Sequence, residues 1–542
     1  MENASVPATA ASKEVETGDK GLKKDSIGFL DGLSIGLAST APAYSLAAVI
    51  GSIVVAVGVK APAILLVSFI PMFFIAAAFF YMNRVDTDCG TTFSWVTRGM
   101  GPWMGWLGGW AICTTGILVI GSLADVSAYY FYDLLGLTGG ETKSGNPKPL
   151  FKNDLAVAIG AVVIIAVITA ICVIGTEISA KLQRFLTIGQ VAILLLFAGA
   201  VFVRLIFDKV PESSISPELS WLSPFGAEYA GLLSGVLLAV FIYWGWESAV
   251  NLSEESEDSS RAPGLAGLAS TVILLVTYIA VTVALIAYAG LGQVEGFDDD
   301  AGVLGSVAAD VLGSTWGKLV VIAVIISGIS SAQTTILPGS RTSLSMAAAG
   351  ALPKPWAKIH PRFLTPAFGT IVIGVLATLW YVPGKLISEN FLFDSLSALS
   401  LMIAFYYGLT GIACVIYWRK ELFLSVKNFI FIGVAPLIGA LLLGYLLYES
   451  VGELSDPKAS YSGTEVAGLG VPLVIAIVFM GLGFILMLAW RFLGGEPARE
   501  FFARKPFQAV PHEVATGEGT VEAIGVSEDE ADAGIGAEKR ED

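Results

Sequence analysis

The chain has 542 residues, of which 55% are apolar and 14% charged, with a mean hydropathy of +0.74. Soluble domains carry about 25% charged residues, so this composition excludes a water-soluble globular protein and makes lipid the solvent. The formal net charge of −15 gathers in the tail from about 494 and in a few loops, and says little about a substrate.

Hydrophobic windows of roughly 20 residues predict an all-α, polytopic membrane protein of about twelve transmembrane helices, near 27–57, 62–83, 103–132, 154–174, 184–207, 229–252, 265–290, 315–347, 366–383, 391–418, 427–449 and 468–492. Residues 1–25 are polar and lysine-bearing, and no small-residue cleavage site precedes the first span, so the first helix is expected to be its own insertion signal. The expected organisation is an N-terminal segment 1–25, a membrane domain 26–493 and an acidic, disordered tail 494–542. With the N-terminus in the cytoplasm, most of the 31 Lys and Arg fall inside. The contrast is sharpest between the loop after span eight (Arg341, Lys354, Lys358, Arg362) and the outer loop before it (Glu295, Asp298, Asp299, Asp300).

In chain order, the first span reads Gly-Leu-Ala-Ser-Thr-Ala-Pro-Ala-Tyr-Ser over 36–45. Pro42 removes a backbone donor and clashes with the preceding turn, so the helix is expected to break there, placing Ala38, Ser39, Thr40 and Ala41 at the gap. Asp31, nearer the cytoplasmic end, is expected to reach water or a lysine. Asp125 lies in span three and Gln190 midway along span five. Span six reads Phe-Ile-Tyr-Trp-Gly-Trp-Glu over 241–247, with Gly245 beside an acid in mid-membrane. Along span eight, Ser327, Ser330, Ser331, Thr334 and Thr335 line up hydroxyls. Cys89, Cys113, Cys172 and Cys414 have no CxxC spacing and read as apolar packing residues.

Five spans separate the breaks of spans one and six. Broken helices at matching positions of two five-span halves, 27–207 and 229–419, point to an inverted five-helix repeat with a binding site at the midplane, followed by two extra helices over 427–492; the alternative is two ordinary kinks. An unwound helix in lipid leaves backbone groups without partners unless a ligand, ion or water satisfies them. Free N–H groups after Thr40 suit a carboxylate, and carbonyls near Phe241 and Tyr243 suit an ammonium. The expected substrate is therefore an α-amino acid, covered by Phe241, Tyr243, Trp244 or Trp246.

Three stretches resemble the amino acid-polyamine-organocation family of permeases. They are Cys89–Trp95 with Gly101–Trp110; Phe241, Gly245, Glu247 and the pair Glu254 and Glu255; and Ser340-Arg341 followed by Gly350-Ala-Leu-Pro353, Lys358-Ile-His-Pro361 and Thr365-Pro366. The resemblance runs from about 27 to 420 and implies the inverted repeat and amino acid transport. The family's Gly-x-Gly at the first break is matched here by Ser39-Thr40-Ala41. The lysine of proton-coupled members in helix five falls at Gln190, which cannot titrate but is expected to hydrogen-bond to helices one and eight.

Both histidines, His360 and His512, lie in cytoplasmic segments, so no histidine relay crosses the membrane. Coupling candidates are Glu247, either a proton sensor or a cap on the inner half of helix six; Asp125, either buried or facing an outer vestibule; and a sodium site near Ser330 and Ser331, unless those hydroxyls bond their own backbone. No metal-ligand cluster, nucleophile elbow or phosphate loop is found, so neither an enzyme nor a cofactor beyond a coupling ion, H+ or Na+, is expected. The expected partners are a small solute and the bilayer, not nucleic acid, and the expected location is the plasma membrane. A polyamine or organic-cation carrier, an exchanger and a nutrient sensor signalling through the tail are the rival readings.

Overall fold

The computed structural model describes residues 20–507 except 142–146, 296–299 and 389. Asp298, Asp299, His512 and most of the tail and N-terminal segment lie outside those residues.

The chain is helical, in the order α1 (Phe29–Ser39), α2 (Pro42–Val57), α3 (Ala61–Asn83), α4 (Thr92–Met100), α5 (Pro102–Leu134), α6 (Asp154–Ile174), α7 (Thr176–Ile206), α8 (Tyr229–Tyr243), a 3₁₀ helix over Trp246–Glu255, α9 (Ala262–Ala289), α10 (Leu291–Glu295), α11 (Asp300–Leu312), α12 (Lys318–Ala348), α13 (Ala367–Ile387), α14 (Phe391–Tyr417), α15 (Val426–Asn428), a π-helix over Phe429–Val434, α16 (Ala435–Glu453), α17 (Val471–Leu493) and α18 (Gly495–Ala503). Two short antiparallel hairpins, Thr138–Glu141 with Pro147–Pro149 and Glu465–Val466 with Leu469–Gly470, lie in connections.

Among the described residues, eleven helical stretches are long and apolar enough to cross a membrane. The first, Phe29–Asn83, has 55 residues and would run about 80 Å if straight. A hydrocarbon core of about 30 Å makes it two crossings, folded at Gly58 (φ 58°).

Outer helices show which solvent they meet. The most apolar window, in α6, is only 33% buried, and Ile159, Val163 and Val167 stand exposed on it. Such a surface is stable only against lipid. Inside the ring, α1, α2, α8 and the 3₁₀ helix pack against α3, α7, α9, α12 and α14, with Trp95, Trp246, Tyr44, Tyr243 and Arg341 fully buried.

Proline does not by itself interrupt these helices. α3, α12 and α13 continue through Pro71, Pro338 and Pro383, whereas Pro42 opens α2 at its first turn, where its missing N–H has no helical acceptor to lose. The break expected at Pro42 falls one residue earlier, at Ala41, whose φ of 49° and ψ of 59° are left-handed. An L-residue there costs roughly 1–2 kcal/mol. Span six breaks at Trp244 and Gly245, the latter at φ 116°, a conformation open to glycine.

Candidate functional site

The two breaks face each other. A Cβ built on Gly245 would lie 2.8 Å from both the carbonyl carbon and the oxygen of Ser39, so only glycine admits this approach. Ser39 Oγ and Ser248 Oγ share a hydrogen bond of 2.7 Å across the junction. Hydroxyls cover the carbonyls that α1 releases: Ser331 Oγ donates to the Ser39 carbonyl (2.7 Å), Ser45 Oγ to that of Thr40 (2.7 Å) and Thr40 Oγ1 to that of Leu37 (2.8 Å).

Donors at the start of α2 are fewer than the sequence suggests. Pro42 has none, and the Tyr44 N–H goes to Ser327 Oγ (3.2 Å), which leaves Ala43, a fully buried residue, as the other amide of that turn. In span six the Phe241 carbonyl accepts from the Trp244 N–H (3.0 Å) and the Ile242 carbonyl from Tyr278 Oη (2.7 Å). Ala38, Ser39, Thr40, Ala41, Phe241, Tyr243, Trp244 and Gly245 are all brought to this junction or its flanks, and are buried. Tyr243 packs edge-on against Tyr278, as Trp246 does against Phe79, and Trp246 lies tilted against Tyr407.

Glu247 lies one turn beyond the gap. Its carboxylate accepts from the Gly245 N–H (3.1 Å), from Tyr406 Oη and from Tyr407 Oη, while Trp244 Nε1 donates to Tyr406 Oη. Three donors converging on two oxygens suit an ionised carboxylate. The carboxylate thus holds the gap of span six to α14 as well as bonding the amide before its own helix. Neither tyrosine was singled out in the sequence, because nothing local marks a partner 159 residues away.

The hydroxyls of α12 split between roles. Ser331 bonds across to α1, Ser327 accepts from α2, and Thr334 folds back on the Ser330 carbonyl (3.0 Å). Ser330 Oγ and Thr335 Oγ1 are buried without a hydrogen-bond partner among the described residues.

Gln190 departs from expectation: both amide atoms are buried without a hydrogen-bond partner among the described residues. The bonds expected of it are made by neighbours on α7. Gln183 Nε2 donates to the Ser330 carbonyl (3.2 Å) and to Gln333 Oε1 (3.0 Å), and Thr187 Oγ1 to the Ser34 carbonyl (3.3 Å). Asp31, expected to meet water or a lysine, takes Arg184 Nε at 2.8 Å instead. The pairs 31/184 and 34/187 share one offset of 153, so α1 and α7 run parallel. In that register Gln190 is level with Leu37, in the last turn of α1 beside the gap.

Asp125 stands apart from the junction. Tyr381 Oη donates to it and Lys385 Nζ lies 3.4 Å away, itself 3.5 Å from Asp154, so the acid clamps α5 to α13 and the start of α6. Another cluster, invisible to spacing rules, joins Asp88, Cys89 and Glu254 within 4.8 Å of one another, and Lys20 Nζ sits among them, 3.1 Å from Asp88 Oδ2.

A family profile described as amino acid permease matches residues 35–463. Among curated relatives, the branched-chain amino acid permease BcaP of Lactococcus lactis is 24% identical over 62% of this chain and 70% of its own length. The methylthioribose transporter of Bacillus subtilis is 26% identical over 53% and 59%, and the serine/threonine exchanger SteT of the same organism 25% identical over 61% and 69%. The matches therefore cover between 59% and 70% of these relatives' lengths.

Proposed function

The chain belongs to the amino acid permease family, and on that premise we propose that it is a secondary active transporter carrying an α-amino acid across the plasma membrane by alternating access, with a cation moving alongside. The observation that supports this most is the contact of two helix gaps, Ser39–Ala41 against Trp244–Gly245, deep among buried helices. Main-chain polar groups in such a place require partners, and a zwitterion supplies both kinds: its carboxylate meets the Ala43 amide at the start of α2, and its ammonium meets the oxygens around the gap in span six. In this reading the halves 27–207 and 229–419 are inverted repeats that rock about the junction. Both termini lie in the cytoplasm, in keeping with the basic loop of Lys354, Lys358 and Arg362 after α12.

Two places serve the coupling ion. Ser330 Oγ, beside the Ser331 that bonds the Ser39 carbonyl, offers a hard oxygen to Na+; Glu247, bonded to the Gly245 amide, offers a proton site tied to the gap itself. Glu247 also supports a second reading, an organic-cation carrier, since a carboxylate beside the gap attracts an amine without needing a carboxylate pocket.

Thermal-shift measurement of the purified protein against neutral, cationic and hydroxylated amino acids and polyamines identifies the ligand, because binding to the folded state alone raises the midpoint. Uptake of that ligand into proteoliposomes under imposed Na+ or H+ gradients then identifies the coupling ion. Stabilisation by an amino acid and gradient-driven uptake are expected. Stabilisation by polyamines alone selects the cation carrier, and identical uptake with and without gradients refutes symport.

A further inference from the structure

Residues 20–27 precede α1 and lie across the end of the molecule where α1 begins and the 3₁₀ helix ends. Ser26 and Ile27 donate their amides to the Glu255 carbonyl (2.9 and 3.1 Å), and Glu257 returns its amide to the Ile27 carbonyl (3.1 Å). The inner halves of both broken helices are thereby tied to each other by backbone. Leu22 packs against Cys89, Leu344 and Ile359, reaching the turn before α4, the end of α12 and the loop beyond it.

At the head of this arm Lys20 is buried, its side chain 1% exposed. Nζ is 3.1 Å from Asp88 Oδ2, 2.5 Å from Glu254 Oε1 and 3.8 Å from Cys89 Sγ. Both acids are fixed from behind: Glu254 Oε1 accepts the Cys89 N–H (2.9 Å), and Asp88 Oδ1 accepts the Gly90 N–H (2.8 Å) and the Ser345 hydroxyl (2.6 Å). The neighbouring acids have their own cations, Asp86 with Arg98 (2.7 Å) and Glu255 with Arg341 (2.9 Å). Although burial acts to lower it, the carboxylates of Asp88 and Glu254 hold the Lys20 ammonium above its ordinary range. Asp88, Cys89 and Glu254 form a receptacle for a cation, and the protein's own ammonium fills it.

We propose that residues 20–27 are a latch over the cytoplasmic mouth, and that withdrawal of Lys20 from Asp88 and Glu254 lets the inner halves of the two broken helices part. The arm runs into α1, hydrogen-bonds the 3₁₀ helix, pairs with the turn before α4 and packs on the α12 end at once, so these elements cannot separate while it is seated. A buried ion pair is stable only when complete; once the ammonium leaves, the two carboxylates need water, and hydration of the mouth is the open state. The latch is two-state, dry and paired or wet and unpaired. This inference rests on the alternating-access reading and adds the element that controls its inner gate.

Cys89 is a native reporter, fully buried behind Lys20. With Cys113, Cys172 and Cys414 replaced by Ala, a membrane-impermeant maleimide is applied to the purified protein in inside-out vesicles. Lys20→Met is expected to raise the Cys89 labelling rate about ten-fold or more, as one decade of a two-state equilibrium requires, and Lys20→Arg to keep it near wild type. Lys20 pulls the Cys89 thiol downward against burial and the nearby acids, so loss of the ammonium alone slows labelling; an increase reports exposure. Monodisperse Lys20→Met with wild-type labelling overturns the latch. If that variant does not fold, Lys20→Gln takes its place, with the same expected rise and the same overturning result. No substrate enters the measurement, so failure of the latch and failure of the transport reading are separable.

Discussion

Gly245→Ala tests whether the contact between the two gaps is the centre of function. The φ of 116° costs an L-residue about 1–2 kcal/mol. The added methyl also meets the Ser39 carbonyl carbon and oxygen at 2.8 Å, an overpacking of about 1–3 kcal/mol. Ser39 has no free direction of retreat: its carbonyl accepts from Ser331, and its hydroxyl is bonded to Ser248. The combined penalty, about 2–5 kcal/mol, falls on the junction itself. Gly495→Ala provides the control, because Gly495 also has a positive φ (69°) but nothing among the described residues lies within 4 Å of its Cβ position. Thermal midpoints and proteoliposome uptake are measured for both variants. Gly245→Ala is expected to lower the midpoint and reduce uptake about ten-fold or more, whereas Gly495→Ala shows the backbone cost alone and transports normally. Wild-type midpoint and uptake in Gly245→Ala refute the assignment of the junction.

Tyr406→Phe and Tyr407→Phe each remove one donor from Glu247, and each is expected to destabilise by about 1.5–3 kcal/mol as a lost bond to a charged group; in Glu247→Gln the two losses shrink, and a double-mutant cycle on the thermal midpoint checks this. Arg341 holds Glu255 through two nitrogens, at 2.9 and 3.2 Å, with both side chains fully buried. Arg341→Met is therefore expected to cost about 3–5 kcal/mol, and Arg341→Lys to restore little of it because an ammonium cannot form the fork. Burial lifts the Asp86 carboxyl from 3.8 to about 6 despite the opposing charge of Arg98. The folded protein then holds a proton that the unfolded chain releases, so this group's contribution to stability is complete below pH 3.8 and declines as pH rises to about 6. Asp86→Asn is expected to flatten the midpoint-against-pH curve in that window.

The helices, their order and both breaks are legible in the chain itself, because lipid forces every apolar run of spanning length into a helix and leaves the interruptions conspicuous. α6 matches the expected span 154–174 residue for residue, and the contact of Gly245 with Ser39 follows from two local irregularities meeting. What sequence could not assign is which side chain answers which, since that depends on register between helices far apart in the chain. The mid-helix position of Gln190 suggested bonds that the parallel register of α1 and α7 gives to Gln183 and Thr187 instead. Glu247 was conspicuous as a buried acid, but its tyrosines on α14 were not. Asp88, Cys89 and Glu254 read as unrelated residues until the tertiary fold folded a polar arm beneath the broken helices and set Lys20 among them. Hydrophobic spacing along one helix is a local property; the pairing of buried charges belongs to the packed whole, where each must find a partner or forgo burial.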